Sequence, residues 1–315
     1  MEAILGIDVS SNELETHILG HSKINNATRT FANTAKGCNQ IVAYVNKNNI
    51  TSVVVEATGG YEQKIARLCL KNNITIKIVN PVQVRSFARG IGKVAKTDEI
   101  DAFVIARFAQ VVNTPALLPK SKEELLLIEL VKRRDSITRM IIAEKNRRRL
   151  ASNFIKKIIN ESINFFEKEV VLLDEEMDRI RLKSSEISKK CKILCKQKGV
   201  AQLTSLRVIA LMPEIGLLNR KQIAALAGLA PIAKDSGKMK GKRFIYGGRF
   251  GARKALYMTA WVAVRYDKKI KAYYEKLMTK GKPPKVAIVA VMRRLIVILN
   301  GMIREEYYNK KSNSD

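Results

Sequence analysis

Histidine is almost absent from this chain, whose 315 residues include only His17 and His21. So few histidines argue against a serine or cysteine nucleophile that is activated by an imidazole. The four cysteines, at positions 38, 69, 191 and 195, form no pair with zinc-ligand spacing. We therefore expect no structural zinc site, and we expect free thiols, which are typical of a reducing cytoplasm.

Signals for membrane insertion, export and nucleotide binding are also missing. No apolar run approaches the roughly 18 residues of a membrane-spanning helix. The chain reaches its first predicted strand at Ile4 without the basic start and cleavage site of a signal peptide. It has no Walker-type glycine-rich loop. These absences predict a cytoplasmic protein with no membrane partner and no need for ATP.

Acidic residues are few beside the basic ones, 29 against 58, which gives a net charge of +29. Because 46% of the residues are hydrophobic, this charge decorates a folded protein and not a disordered chain. Residues 191–315 contain 27 basic and 7 acidic residues, whereas residues 1–100 contain 12 and 8. A charge of this size predicts a nucleic-acid partner, bound mainly by the last part of the chain.

Proline and glycine are both missing from residues 121–198, which predicts a long helical region. In its second half, mostly apolar residues alternate in steps of four and three, a heptad pattern with one polar break at Ser184. The pattern occupies positions 166, 170, 173, 177, 180, 184, 187, 191 and 194. Two interpretations remain open: an antiparallel helical hairpin that packs on itself, or a coiled coil that joins two subunits.

The first third of the chain has the pattern of an α/β domain. Three strands are predicted over 4–9, 13–19 and 28–31, and strands over 51–55 and 74–79 then alternate with helices. The last helix of this part is predicted over 98–112. Three strands followed by helix–strand alternation is the order of an RNase H-like sheet. The prolines at 115 and 119 mark the edge of this domain, and the remainder is predicted to be mostly helical.

Four carboxylates stand out by their positions. Asp8 and Glu56 each close a buried apolar strand, at the rim where α/β proteins keep their sites. Asp98 and Asp101 share one face of a predicted helix. Four acids at one rim would repel each other unless divalent cations neutralised them, and oxygen ligands without histidine suit Mg²⁺ or Mn²⁺. The alternative is that these acids cap helices and face solvent, and Glu62 and Glu99 are alternates within the set.

The most basic stretch, residues 234–254, has eight basic residues, one acid and five glycines. It is too rich in glycine for a long helix, and it predicts loops or a hairpin whose backbone can approach phosphates. Within it Ser236 is either a nucleophile, assisted by nearby cations, or a turn residue. The residues that we expect to bind nucleic acid are Lys234, Lys238, Lys240, Lys242, Arg243, Arg249, Arg253 and Lys254.

Several segments together resemble the DEDD insertion-sequence transposases, the family numbered one-hundred-and-ten. The segments are residues 6–10, 55–59, 96–101, 226–231 and 236–238. They span nearly the whole chain in the order of the family. The resemblance implies a RuvC-like domain at residues 1–115, a helical coiled-coil and dimerisation region at 116–198, and a transposase domain with a catalytic serine at 199–308. The last residues, 309–315, are expected to form a disordered tail.

The resemblance also implies a chemistry. Asp8, Glu56, Asp98 and Asp101 would bind Mg²⁺, and Ser236 would attack DNA to form a transient phosphoserine link. Members of the family act on double-stranded donor and target DNA, guided by a structured bridge RNA that the element encodes. They form tetramers, in which the serine of one subunit completes the acidic site of another. The resemblance thus implies a homo-oligomer, a dimer or a tetramer, in a prokaryotic cytoplasm near the nucleoid.

Two other functions remain open from the residues themselves. The first is a Holliday-junction endonuclease of the RuvC type, which hydrolyses DNA with water and needs no serine. The second is an RNA- or DNA-binding protein that is not an enzyme and whose acids are structural.

Overall fold

The computed structural model divides the chain into two compact units, Met1–Pro119 and Lys120–Asp315. It describes residues 2–21, 24, 27–93, 97–233, 235–236, 241 and 243–309. The first unit ends shortly after the predicted border at residue 115. The finer border at residue 198 and the tail at 309–315 stay predictions, and residues 310–315 lie outside the described ranges.

The first unit contains a five-stranded sheet with helices on both faces. Its elements are β1 (Ile4–Val9), β2 (Glu13–Leu19), β3 (Thr28–Ala32), α1 (Ala35–Lys47), β4 (Ser52–Glu56), α2 (Gln63–Lys71), β5 (Ile76–Val79), α3 (Pro81–Gly90) and α4 (Asp98–Val111). The strand order is β3-β2-β1-β4-β5. The first three strands are antiparallel, and β1, β4 and β5 are parallel. This topology confirms the predicted RNase H-like class.

Strand β1 is buried on both faces because each face carries its own helical layer. Leu5 and Ile7 pack with residues of α1 and α2. Ile4 packs on the opposite face with residues of α3 and α4. Alternation along the strand therefore places Gly6 and Asp8 on the α4 side.

The second unit is mostly helical. Its elements are α5 (Lys122–Arg148), α6 (Asn153–Lys183), α7 (Ser185–Cys195), α8 (Gln202–Leu211), α9 (Arg220–Leu226), β6 (Pro231–Ile232), β7 (Phe244–Ile245), α10 (Phe250–Tyr266), α11 (Lys268–Thr279), α12 (Pro284–Ile303) and a π-helical turn (Arg304–Asn309). Leu127 of α5 and Met177 of α6 share one buried core with α8, α10 and α12.

The long helical region forms an antiparallel hairpin within one chain. Arg134 of α5 pairs with Asp174 of α6 at 2.5 Å, and Lys145 pairs with Glu167 at 2.7 Å, a spacing that requires opposite helix directions. The heptad pattern does not continue in one helix, because α6 ends before Ser184. That residue is extended (φ −102°, ψ 110°), and its hydroxyl caps α7 by accepting from the Ile187 amide. The structure therefore shows the intrachain hairpin, and pairing between subunits remains a prediction.

Helix α12 corrects the expectation that no apolar run approaches spanning length. Among the described residues, one helical segment, Pro284–Tyr307, is both long enough and apolar enough to cross a membrane, with a mean hydropathy of 2.0. Half of the apolar stretch of this helix is buried inside the protein, and Val291, Leu295 and Leu299 are completely enclosed. A central core helix passes the same length and composition test, and α12 occupies that position.

Candidate active site and nucleic-acid interface

Asp8 and Glu56 end two neighbouring parallel strands. Ile7 of β1 pairs with Val55 of β4, so the next residues on each strand are Asp8 and Glu56. Neighbouring strands lie about 4.8 Å apart, and residues at the same level of a parallel pair face the same side. Both carboxylates are half-buried. Sheet register therefore brings together two acids that are far apart in sequence.

Gly6 allows α4 to lie directly against β1. A Cβ at this position would be 2.4 Å from the Ala102 carbonyl oxygen and 2.6 Å from the Ala106 nitrogen. Glu2 lies just before the other end of β1. A Cβ on Gly20 would meet the Glu2 carbonyl oxygen at 2.4 Å and the side-chain Nε2 of Gln110 at 3.6 Å. Helix α4 therefore runs antiparallel to β1, and its first turn lies at the Asp8 end of that strand.

The first turn of α4 contributes the other two predicted acids. The Thr97 hydroxyl caps the helix by accepting from the Ile100 amide at 3.3 Å. Asp101 is half-buried and directly precedes Ala102, the residue that contacts Gly6. Asp98 is the first residue of α4, but its side chain and that of Glu99 lie outside the described part. The backbone therefore places all four predicted acids at one end of β1.

Changing Gly6 to Ala should displace α4 and destabilise the first unit. The added methyl group would overlap backbone atoms of the helix, so we expect a loss of unfolding free energy of about 3 kcal/mol or more. Thermal unfolding followed by circular dichroism measures this loss. Gly90→Ala is the matched control, because a Cβ there meets no atom within 4 Å. Equal melting temperatures for the two variants would contradict the close contact.

Glu15 is a fifth carboxylate at this end of the sheet. It pairs with Asp8 across the β1–β2 hairpin, so the two side chains share a face. Its Oε2 accepts a hydrogen bond from the Thr30 hydroxyl at 2.6 Å. Glu15 was not among the predicted site residues, because the pairing of β2 with β1, and not sequence spacing, places it beside Asp8. A further negative charge beside Asp8 increases the attraction of this site for cations.

The donor chemistry fits a hard divalent cation, because Asp8, Glu56 and Asp101 offer only carboxylate oxygens. Among the residues with described side chains, no group of three or more His, Cys, Asp or Glu forms a ready metal cage. The side chain of Asp98 is not among those described. Asp8, Glu56 and Asp101 therefore supply carboxylate oxygens at one rim of the sheet, and their binding of a metal stays a prediction.

Glu62 fixes the turn that follows Glu56. It is 6% exposed, and its Oε2 accepts from the Gly60 amide at 2.9 Å and the Thr58 amide at 3.1 Å. Burial opposes its ionisation, but hydrogen bonds from the Gln63 side chain and from backbone amides outweigh burial and lower the pKa of Glu62. Glu62 was predicted as an alternate metal-binding acid. In the structure it instead holds the turn at residues 58–60 through its hydrogen bonds to the backbone.

Glu62→Gln should lower the melting temperature by a few degrees at pH 7, because the amide forms weaker bonds to the turn. Since the folded pKa lies below the ordinary value of 4.5, the stabilisation is full above that value. It is lost as the pH falls through the folded pKa. The two proteins should therefore converge at low pH. Glu13→Gln, at an exposed position of β2, is the control. A difference that persists unchanged into acid would refute the ionised-cap interpretation.

Ser236 lies between the two strands of a short hairpin. Strands β6 and β7 pair through Pro231–Ile245 and Ile232–Phe244, and the chain between them carries the exposed Ser236. The neighbouring Asp235 accepts from the Arg243 guanidinium at 2.6 and 2.8 Å and from the Gly241 amide at 3.0 Å. The Arg243 hydrogen bonds lower the pKa of Asp235. This ion pair links residues near the two ends of the segment between β6 and β7, in which Ser236 is exposed.

The arginines of the predicted interface have internal partners. Arg249 donates to both Glu214 carboxylate oxygens and to the Leu211 carbonyl oxygen. Although burial raises the pKa of Glu214, its bonds to Arg249 lower it overall. Arg253 donates to the carbonyl oxygens of Gly228 and Gly247 at 2.9 and 3.0 Å. With Arg243, these residues build the hairpin and its surroundings, and phosphate binding by them stays a prediction.

Of the five lysines predicted to bind nucleic acid, the structure describes one. Lys254 is half-buried on α10. Lys234, Lys238, Lys240 and Lys242 lie outside the described residues, so their contacts with nucleic acid also stay predictions.

Comparison with known proteins matches both units to transposases. A profile of DEDD transposases matches residues 5–151, and a profile described as the transposase IS116/IS110/IS902 family matches residues 191–275. The pilin gene-inverting protein of Moraxella bovis is 27% identical over 310 residues, covering 96% of this chain and 95% of that protein. An uncharacterized 42 kDa protein of insertion element IS900 from Mycobacterium paratuberculosis is 36% identical over 88 residues, covering 27% and 21% of the two chains.

A solved structure of Thermus thermophilus RuvC with a Holliday-junction substrate aligns with 37% of this chain and 100% of that chain, at 15% identity and a TM-score of 0.30. The two profiles together cover most of the sequence and both describe transposases. The pilin gene-inverting protein matches nearly end to end. The chain belongs to the IS110 family of transposases, enzymes that recombine DNA.

Proposed function

We propose that this transposase cuts and rejoins DNA through a transient phosphoserine at Ser236, with Mg²⁺ bound by Asp8, Glu56, Asp98 and Asp101. The observation that supports this most directly is the shared position of Asp8 and Glu56 at adjacent strand ends, beside the first turn of α4. Mg²⁺ held there would neutralise charge on the scissile phosphate.

The covalent step conserves the energy of the phosphodiester bond. The Ser236 Oγ gives up its proton and bonds to phosphorus, while the bond from phosphorus to the 3′ oxygen breaks. The 3′ oxygen leaves with a proton as a 3′ hydroxyl, and the 5′ phosphate stays on the serine. Attack by another 3′ hydroxyl reverses the step and joins a new pair of ends. No external energy source is needed.

The acids and Ser236 belong to different compact units. We propose that Ser236 of one subunit acts with the acids of another. We favour a dimer or a tetramer, because the α5–α6 hairpin exposes many large apolar side chains. Their exposed fractions are 94% for Leu150, 72% for Phe154, 60% for Phe165, 58% for Leu172 and 68% for Leu182.

We further propose that a structured RNA encoded beside the gene selects the donor and target DNA in a prokaryotic cytoplasm, near the nucleoid. The 27 basic and 7 acidic residues in 191–315 suit the binding of nucleic-acid backbones, while base pairing would read the sequence. Sequencing the RNA that co-purifies with the protein tests this. We expect one discrete structured species from the flanking DNA, whereas a random sample of cellular RNA would contradict the guide.

A further inference from the structure

A continuous groove runs beside the Ser236 hairpin in the second unit. Two cavities of about 510 and 620 Å³ share Pro231, Tyr273, Ala290 and Arg293 as lining residues. The walls come from α9, α11, α12 and the β6–β7 hairpin. We call this feature the hairpin groove.

The hairpin groove has an apolar floor and a basic rim. Phe244, Ile245, Leu277 and Val286 contribute apolar surface, and Phe244 and Val286 are 38% and 52% exposed. Seven Lys or Arg residues line the groove, and no Asp or Glu is among its described lining residues. This composition suits a ligand that combines flat apolar groups with repeated negative charge.

We propose that the hairpin groove binds unstacked bases of single-stranded DNA, with the adjacent phosphates on its basic rim. Tyr273 lines both cavities, and the Arg294 guanidinium lies over its ring, 4.6 Å from the ring centroid. A base in the groove would stack against this Arg294–Tyr273 pair. A duplex keeps its bases inside, so it would contact only the rim and would leave the apolar floor uncovered.

The choice of DNA rests on the proposed function. Four lining residues, Pro231, Arg243, Phe244 and Ile245, belong to the hairpin that carries Ser236. A strand in the groove would therefore be continuous with the DNA that Ser236 attacks. A few nucleotides beside the scissile phosphate would leave the duplex and bind in the groove. Their binding would position the scissile phosphate at Ser236.

Two substitutions block the floor in different ways. Val286→Glu places a carboxylate at an exposed position, where it cannot disturb the core. Ala290→Phe fills the region shared by the two cavities without changing the charge. Val111→Glu is the matched control, since it makes the same replacement at 64% exposure at the end of α4, outside the groove.

The test is fluorescence-anisotropy binding of the full-length protein to labelled oligo(dT), a duplex of equal phosphate number and oligo(rU), without divalent metal. We expect each groove variant to lose about tenfold in oligo(dT) affinity, while its duplex affinity matches that of Val111→Glu. Wild-type oligo(dT) affinity in Val286→Glu, or equal losses on oligo(dT) and duplex, would overturn the proposal. Tighter binding of oligo(rU), lost in the same variants, would assign the groove to RNA and also overturn it.

This result is separate from that for the phosphoserine mechanism. Binding is measured without metal and without cleavage, so it does not depend on Ser236 or on the carboxylates as reacting groups. If Ser236→Ala still rejoined DNA while the groove variants lost oligo(dT) binding, the mechanism would fail and the groove would stand.

Discussion

Replacing Asp8 with Asn should reduce the rate of DNA strand cleavage on the order of 1,000-fold or more. Asn keeps the shape of Asp but removes a charged ligand from the strand end beside Glu56, and a catalytic metal contributes several kcal/mol to such a reaction. DNA binding should stay near the wild-type level because the basic residues lie mainly in the other unit. Cleavage of supercoiled donor DNA at several Mg²⁺ concentrations, beside a binding assay, separates the two effects.

Glu2→Gln is the control for Asp8→Asn. Glu2 is exposed and precedes β1 at the end opposite Asp8, so its loss removes the same charge from the same unit. The double variant Asp8→Asn with Asp101→Asn should be no worse than either single variant, because the acids act on one metal site. Unchanged cleavage in the double variant would contradict the proposed metal site and would leave Asp8 and Asp101 with a structural role only.

Ser236→Ala should remove strand cleavage and rejoining altogether, with a rate loss of about 10,000-fold or more. The methyl group cannot form the link to phosphorus. Because Ser236 is exposed between β6 and β7, the fold should not change. Recombination between a donor and a target plasmid, measured with Mg²⁺ and guide RNA present, provides the rate.

Ser185→Ala is the matched control for the serine, since Ser185 is an exposed serine at the start of α7. Circular dichroism and DNA binding of Ser236→Ala should equal those of the control. If Ser236→Ala still cut DNA but gave unjoined ends, a water-using endonuclease of the RuvC type would be the better explanation.

The first unit could be predicted closely because its signals are local. Buried strands such as β1 and β4 are short apolar runs that end in acids, and Thr97 is a plain helix cap before α4. The position of Gly6 under Ala102 and Ala106 was not predictable, because it depends on how α4 crosses the sheet. Glu15 was missed for a related reason: hairpin register, and not sequence spacing, places it beside Asp8.

Charge patterns in the second unit were harder to interpret. A run of arginines does not distinguish a residue that binds phosphate from one that holds the fold together, as Arg249 does with Glu214 and Arg253 does with Gly228. Helix α12 shows the same limit for hydrophobicity. About half of its apolar stretch is enclosed by the surrounding helices, including Val291, Leu295 and Leu299. Val286 and Arg293 of the same helix line the hairpin groove. Only tertiary packing supplies these distinctions.

The most direct test of the central claim is mass spectrometry of protein that has been trapped with DNA during strand cleavage. The proposed mechanism predicts a tryptic peptide that carries a 5′-phosphorylated nucleotide on Ser236, and predicts its absence in both Ser236→Ala and Asp8→Asn. Cleaved DNA with a free 5′ phosphate and no nucleotide on the protein, or an adduct on another residue, would contradict the mechanism.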